Sequence, residues 1–184
     1  MKKLLMLAFS VLSVAHAAEW DVMDLLNNLK RQSKIADAQV APLRQVNQKQ
    51  QATYQITMTK GQETNRFQII GTTGVNSKTF QRFEFQVKNF LKPGVTQGFS
   101  SQAGYVQGLT LALSQVCFSL TDQDHATLQK FFMDQLNRAV NIQSVVNVSK
   151  GFTRMQAAIS IGPENIRFSI ENRSRSTQDQ CTLE

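Results

Sequence analysis

The stretch Gln81-Arg82-Phe83-Glu84-Phe85-Gln86-Val87-Lys88 decides the fold. Apolar and polar residues alternate through it, so an extended chain puts Phe83, Phe85 and Val87 on one face and Arg82, Glu84, Gln86 and Lys88 on the other. Residues 79–90 also admit a helix, because Phe80, Phe83, Val87, Phe90 and Leu91 fit a period of about 3.6 residues. Strand is the better reading, since paired aromatic alternation is hard to use on a helix and suits a half-buried pleated surface.

The alternation extends upstream. From Thr53, the residues Tyr54, Ile56 and Met58 fall on one face, Lys60-Gly61-Gln62 makes a turn, and Phe67 and Ile69 alternate in turn. Gly71-Thr72-Thr73-Gly74 reads as a turn and not as a phosphate loop. These segments form a three-stranded antiparallel meander, apolar inward and polar outward. The pattern recurs near the C-terminus: Val146 and Val148, a Lys150-Gly151 turn, then Met155, Ala157, Ile159 and Ile161. A Gly162-Pro163-Glu164-Asn165 turn leads to Ile166, Phe168 and Ile170.

Helical periodicity fills the remainder. Trp20, Met23, Leu25, Leu26 and Leu29 recur at helical steps, with Asp21 and Asp24 early and Lys30, Arg31 and Lys34 late, as the helix dipole prefers. Residues 36–51 are Gln-rich with Pro42 and little period, and are expected to be a loop. Val106, Leu109, Leu113, Val116, Cys117 and Leu120 suit a buried helix in which Gly104 and Gly108 permit close packing. Thr121 followed by Asp124 resembles a capping box opening another helix, which carries Leu128, Phe131, Phe132, Leu136, Ala139 and Val140. The expected class is α+β: two helix-then-three-strand antiparallel meander units forming a sheet covered by about three helices.

The N-terminus reads as a secretory leader. Lys2 and Lys3 precede the apolar stretch Leu4 to Val14, and Ala15-His16-Ala17 supplies a small-residue cleavage pattern, so residues 1–17 are expected to be removed. Residues 18–184 are then a single domain of the periplasm or cell exterior without a membrane span. The formal charge of +7 becomes +5 once Lys2 and Lys3 leave, with both signs interspersed. That is modestly basic and falls short of a nucleic-acid footprint. Cys117 and Cys181 are the two cysteines of the chain, and an oxidising compartment favours their pairing. The bond would tether the polar tail, residues 172–184, to the core near Cys117. The competing readings are free thiols or an intermolecular bridge through Cys181.

Catalytic patterns are sparse. Beyond the leader the sole imidazole is His125, at the start of a helix and outside its apolar stripe. One histidine and two distant cysteines do not make a zinc set, and a cation beside Asp122, Asp124 and His125 would oppose the helix dipole. No nucleophile elbow or papain-like signature is present. Glu63, Glu84, Asp134, Glu164 and Glu171 could in principle supply paired carboxylates. Phe67, Phe83, Phe85 and Phe168 beside Arg66, Arg82, Lys88 and Arg167 have the makings of an aromatic and basic nucleic-acid platform, but those rings are needed for the core.

The sequence therefore points to a non-enzymatic binding or interaction module, with no cofactor, metal or nucleic acid expected. Its partner would be a protein or envelope component, held in a groove between sheet and helices. One alternative is a carboxylate-based hydrolase of envelope polymers. Another is electrostatic attachment to anionic envelope surfaces through Lys30, Arg31, Lys34, Arg44 and Lys49, with Arg173 and Arg175 adding to the charge.

Overall fold

The protein is described by a computed structural model covering residues 20–31, 37–60, 63–88, 99–118, 120–142, 145–173 and 181–182. The leader, Lys34, the surroundings of Gly104, Arg175 and most of the polar tail lie outside the described residues.

Two short elements open the chain: strand β1 (Trp20–Asp21) and helix α1 (Val22–Arg31). Asp21 caps the helix, its Oδ1 accepting the Met23 N–H at 3.0 Å, and Val22 and Leu26 are fully buried. The segment expected to be a loop instead supplies strands β2 (Asp37–Val40) and β3 (Arg44–Val46). Both pair antiparallel with β4 (Lys49–Lys60), itself four residues longer at its start than the alternation from Thr53 indicates. Edge pairing accounts for the difference: β3 is exposed throughout, so no apolar periodicity is required to hold it. Asn47 and Gln48, with φ of 50° and 62°, link β3 to β4 by the left-handed pattern of a two-residue hairpin.

β5 (Glu63–Thr73) and β6 (Phe80–Lys88) complete the first meander, and β7 (Val146–Gly151), β8 (Met155–Ile161) and β9 (Asn165–Asn172) form the second. Residues 80–88 are thus strand. The sheet order is β2-β4-β5-β6-β9-β8-β7, with β3 also on β4, so the third strands of the two meanders pair at the centre. Phe83 lies opposite Ile170 and Phe85 opposite Phe168 in that antiparallel joint.

Helices α2 (Phe99–Phe118) and α3 (Asp122–Ile142) cover one face of the sheet, α2 over β6 and β9 and α3 over β7 and β8. The expected cap on α3 is formed, Thr121 Oγ1 accepting the Asp124 N–H at 3.2 Å. α2 carries no charged residue; Thr110 and Ser114, both fully buried, donate back to the carbonyls of Val106 and Thr110 at 2.7 and 2.6 Å. Aromatic rings fill the layer between sheet and helices: Phe83 meets Phe118 with centroids 5.7 Å apart, and Phe132 meets Phe168 edge-on at 5.1 Å. This core fills, among the described residues, the layer expected to hold a groove. Among the described residues the architecture is α+β, with three helices and an eight-stranded antiparallel sheet. One difference from the expected unit is that β2 and β3 intervene between α1 and the first meander.

Two glycines depart from the roles the sequence assigns them. Gly71 belongs to β5 and not to a turn, and the Phe80 ring lies over it: an added Cβ would come within 2.5 Å of Phe80 Cε1. Gly108, expected to permit close helix packing, has nothing within 4 Å of such a Cβ. Gly71→Ala is expected to lower unfolding free energy by about 1–3 kcal/mol, because the fully buried Phe80 must shift. Gly108→Ala should raise it by about 0.5–1 kcal/mol through helix propensity. Urea unfolding of both variants reads the opposite signs directly.

Candidate functional site

Each residue that sends an apolar side chain toward the helices has neighbours pointing the other way, and among the described residues nothing packs over that second face. Register aligns its side chains in rows that cross the sheet. One row runs Gln39, Gln55, Gln68, Gln86, Arg167, Ser160 and Asn147, one residue from each strand in order. A parallel row runs Arg44, Gln51, Thr72, Arg82, Glu171 and Gln156. Between them Glu84 stands opposite Ile70 on one side and Ser169 on the other.

The charges on this face are unequal. Arg44, Lys49, Arg66, Arg82, Lys88, Arg167 and Arg173 face outward on its strands or at their ends, against Asp37, Glu84 and Glu171. Seven cations against three carboxylates leave a surplus of four positive charges. At the centre, Arg82 bridges Glu84 at 3.2 Å and Glu171 at 3.5 Å, while Arg167 stands 3.9 Å from Glu84. At the periphery, the Arg173 guanidinium donates to the Gln156 side-chain carbonyl. Lys30 reaches from α1 to Asp37 at 3.1 Å, and with the Gln39 amide it holds that carboxyl below the usual range.

The basic residues singled out in sequence are divided by the fold. Arg44, exposed, and Lys49, half-buried, stand on the uncovered face in the β3–β4 hairpin. Lys30 and Arg31 end α1, Lys30 being engaged at the β2 edge, and Lys34 lies outside the described residues. Arg66, Arg82, Lys88 and Arg167 join the face, whereas Phe67, Phe83, Phe85 and Phe168 are buried on the opposite one. Aromatic and basic residues adjacent in sequence are therefore separated by the thickness of the sheet. Sequence reasoning did not identify the Gln row; the alternation marked those residues as outward-facing, but their alignment depends on register.

Of the carboxylates singled out in sequence, the fold brings Glu84 and Glu171 together and sets Asp134 apart on α3. Glu84 and Glu171 are both bridged to Arg82 on the open face, and Asp134 pairs with Lys130 at 2.7 Å along α3. The side chain of Glu63 lies outside the described residues. His125 is half-buried in the first turn of α3, its backbone N–H donating to the Thr121 carbonyl at 2.8 Å. Among the described residues no group of three or more His, Cys, Asp or Glu could hold a metal ion, and no helix is long and apolar enough to cross a membrane.

The sulfurs of Cys117 and Cys181 lie 2.09 Å apart, at disulfide distance, and both residues are buried. Strand β10 (Cys181–Thr182) runs parallel to β1, with Cys181 opposite Trp20, and Thr182 bridges Thr79 beside β6. The pair thus joins the end of α2 to the strand that meets the start of α1. No family model, curated protein or solved structure matches this chain.

The buried cysteines and the buried Tyr54 are each open to measurement. The intact mass without reductant should be two hydrogens below the reduced mass, and Cys181→Ser should cost about 2–4 kcal/mol, given a separation of 64 residues. Two free thiols in the purified protein would contradict the pairing. Burial, and secondarily the Asp21 carboxylate, pushes the Tyr54 phenol well above its ordinary value. The stability this implies is fully present below the unfolded value near pH ~10 and is lost as pH rises from there toward the folded value. Unfolding free energy should therefore fall more steeply above about pH 10 in the unmodified protein than in Tyr54→Phe.

Proposed function

We propose that this chain is an exported, non-enzymatic binding module that docks on an anionic polymer of the cell envelope through the uncovered face of its sheet. The observation that carries the reading is the surplus of four positive charges on that face, where Arg44 and Lys49 stand with Arg66, Lys88 and Arg173 around the central ion pairs. Clustered charge of one sign raises the local concentration of a polyanion and speeds its association.

Other features agree with this reading. The leader, residues 1–17, would deliver residues 18–184 to the periplasm or exterior as one domain, and a buried cysteine pair suits an oxidising compartment. The tail, residues 172–184, would be held by that pair. The two meanders act in this reading as a pseudo-repeat of three strands, and pairing of their third strands makes the face continuous. A hydrolase is the weaker alternative, because Glu84 and Glu171 are engaged by the same arginine in the open.

The purified protein should sediment with envelope material at low salt and be released as ionic strength rises past physiological, where charges are screened beyond ~8 Å. Arg44→Glu with Lys49→Glu and Arg66→Glu should reduce sedimentation at least tenfold while thermal melting stays close to that of the unmodified protein. Salt-insensitive sedimentation, or sedimentation unchanged in the triple variant, would reject the assignment of the face.

A further inference from the structure

Charge alone does not account for the row Gln55, Gln68, Gln86, Arg167, Ser160 and Asn147 across six adjacent strands. Gln55 and Gln68 are exposed and Gln86 is half-buried, and among the described residues no side-chain hydrogen bond engages any of the three amides. Each amide offers two donors and an acceptor, so three neighbouring strands present to solvent an array of both kinds that no described protein group engages. Strands repeat at ~4.8 Å, which makes the six positions about 24 Å from end to end.

Resting on the docking reading above, we propose that the polymer is an acidic glycan laid across the strands, its hydroxyls bonded along this row and its acidic groups met by the flanking cations. Hydroxyls donate as well as accept, so they satisfy both halves of a glutamine amide. Carboxylates accept only, so the acidic side chains of a peptide would pair with the amide N–H groups and leave the amide oxygens to its backbone N–H groups alone, whereas a glycan offers donors on every ring. The strand repeat is comparable to the advance of one sugar unit along an extended glycan. The cations bracket the row in the right sense. Arg167 stands within it beside Gln86, Arg66 and Lys88 lie to one side, and Arg44, Lys49 and Arg82 lie to the other.

The face is less suited to other polyanions. Nucleic-acid platforms on sheets stack bases on aromatic rings, and the aromatic side chains of β4, β5, β6 and β9 are all buried on the helix side. Binding at a lipid surface draws on apolar residues that enter the headgroup layer. Here the exposed large apolar side chains among the described residues are Val40, Leu43 and Val46 at the β2–β3 margin, Val75 in the turn after β5 and Val145 before β7, and none lies on the central strands that carry Gln55, Gln68 and Gln86.

The test uses the whole purified protein and four probes, the three anionic ones at equal concentration of acidic groups: polygalacturonate, poly-L-glutamate, phosphatidylglycerol vesicles, and neutral dextran as a control for hydroxyls alone. Polygalacturonate is expected to bind at least tenfold more tightly than poly-L-glutamate or the vesicles. In a variant carrying Gln55→Ala, Gln68→Ala and Gln86→Ala that preference should vanish through loss of polygalacturonate binding, with binding of poly-L-glutamate and the thermal melt little changed. Should the triple variant fold poorly, the ranking of probes by the unmodified protein decides. Equal affinity for polygalacturonate and poly-L-glutamate, or stronger binding to vesicles, overturns the glycan assignment and leaves docking by charge standing. Absence of binding to all three anionic probes overturns both.

Discussion

Phe83, Phe85 and Phe168 meet where β6 and β9 pair, and the rings of Phe118 and Phe132 close over them from α2 and α3. Each of the three strand phenylalanines is at most 2% exposed, and burial of such a side chain contributes on the order of 1.5–3 kcal/mol. This joint is where the two meanders become one sheet, and it brings together residues more than eighty positions apart, as Phe85 and Phe168 do. Neither meander alone could bury both layers. A three-stranded sheet with one apolar face needs a cover, and α2 and α3 lie between the two meanders in the chain, so they reach β6 and β9 only when those strands are adjacent.

The helix that seals the joint is also the one tied to the chain end. α2 has no charge and no exposed residue from Val106 to Phe118, so it gains nothing from solvent and depends on being enclosed. Its last turn holds Cys117 against Cys181. Through Cys181 it holds β10 against β1, and through Thr182 it reaches Thr79 at the start of β6. Two-residue strands such as β1 and β10 contribute little by themselves. With the cysteine pair they tie the end of α2 to Thr79, the neighbour of Phe80, whose ring in turn occupies the space that Gly71 leaves.

Strong local periodicity was legible in the sequence and long-range or weakly periodic structure was not. Phe83-Glu84-Phe85 declares a strand because each side chain has one possible destination, core or solvent. The Thr121 cap and the cysteine pair likewise follow from chemistry confined to few residues. β2 and β3 escaped detection because an edge strand with exposed side chains, such as Arg44-Gln45-Val46, satisfies its backbone on β4 and owes nothing to burial. The roles of Gly71 and Gly108 were misjudged for a related reason. A glycine's neighbours in space, a phenylalanine ring nine residues on in one case and nothing in the other, leave no mark on the local pattern. The candidate face was visible only as a set of outward residues until pairing placed Gln55, Gln68 and Gln86 side by side.

That alignment constrains which residues the face can use. Side chains directly opposed on neighbouring strands interact, and like charges there are destabilising, so a continuous row of lysines or glutamates across the sheet would oppose its own formation. Where charges do occur near the centre they are compensated, Arg82 lying between Glu84 and Glu171. Amides escape the repulsion and keep hydrogen-bonding capacity, but a glutamine ladder carries its own hazard because the same groups favour stacking of sheets and strands between chains. Cations near the sheet margins counter that tendency: Arg44 and Lys49 in the β3–β4 hairpin and Lys150 on β7 place positive charge on both sides of the sheet. The basic periphery and the amide-rich row are therefore one solution. Positive margins permit an amide-rich face to stay open, and an open amide-rich face with positive margins is complementary to a polymer that is both acidic and hydroxylated.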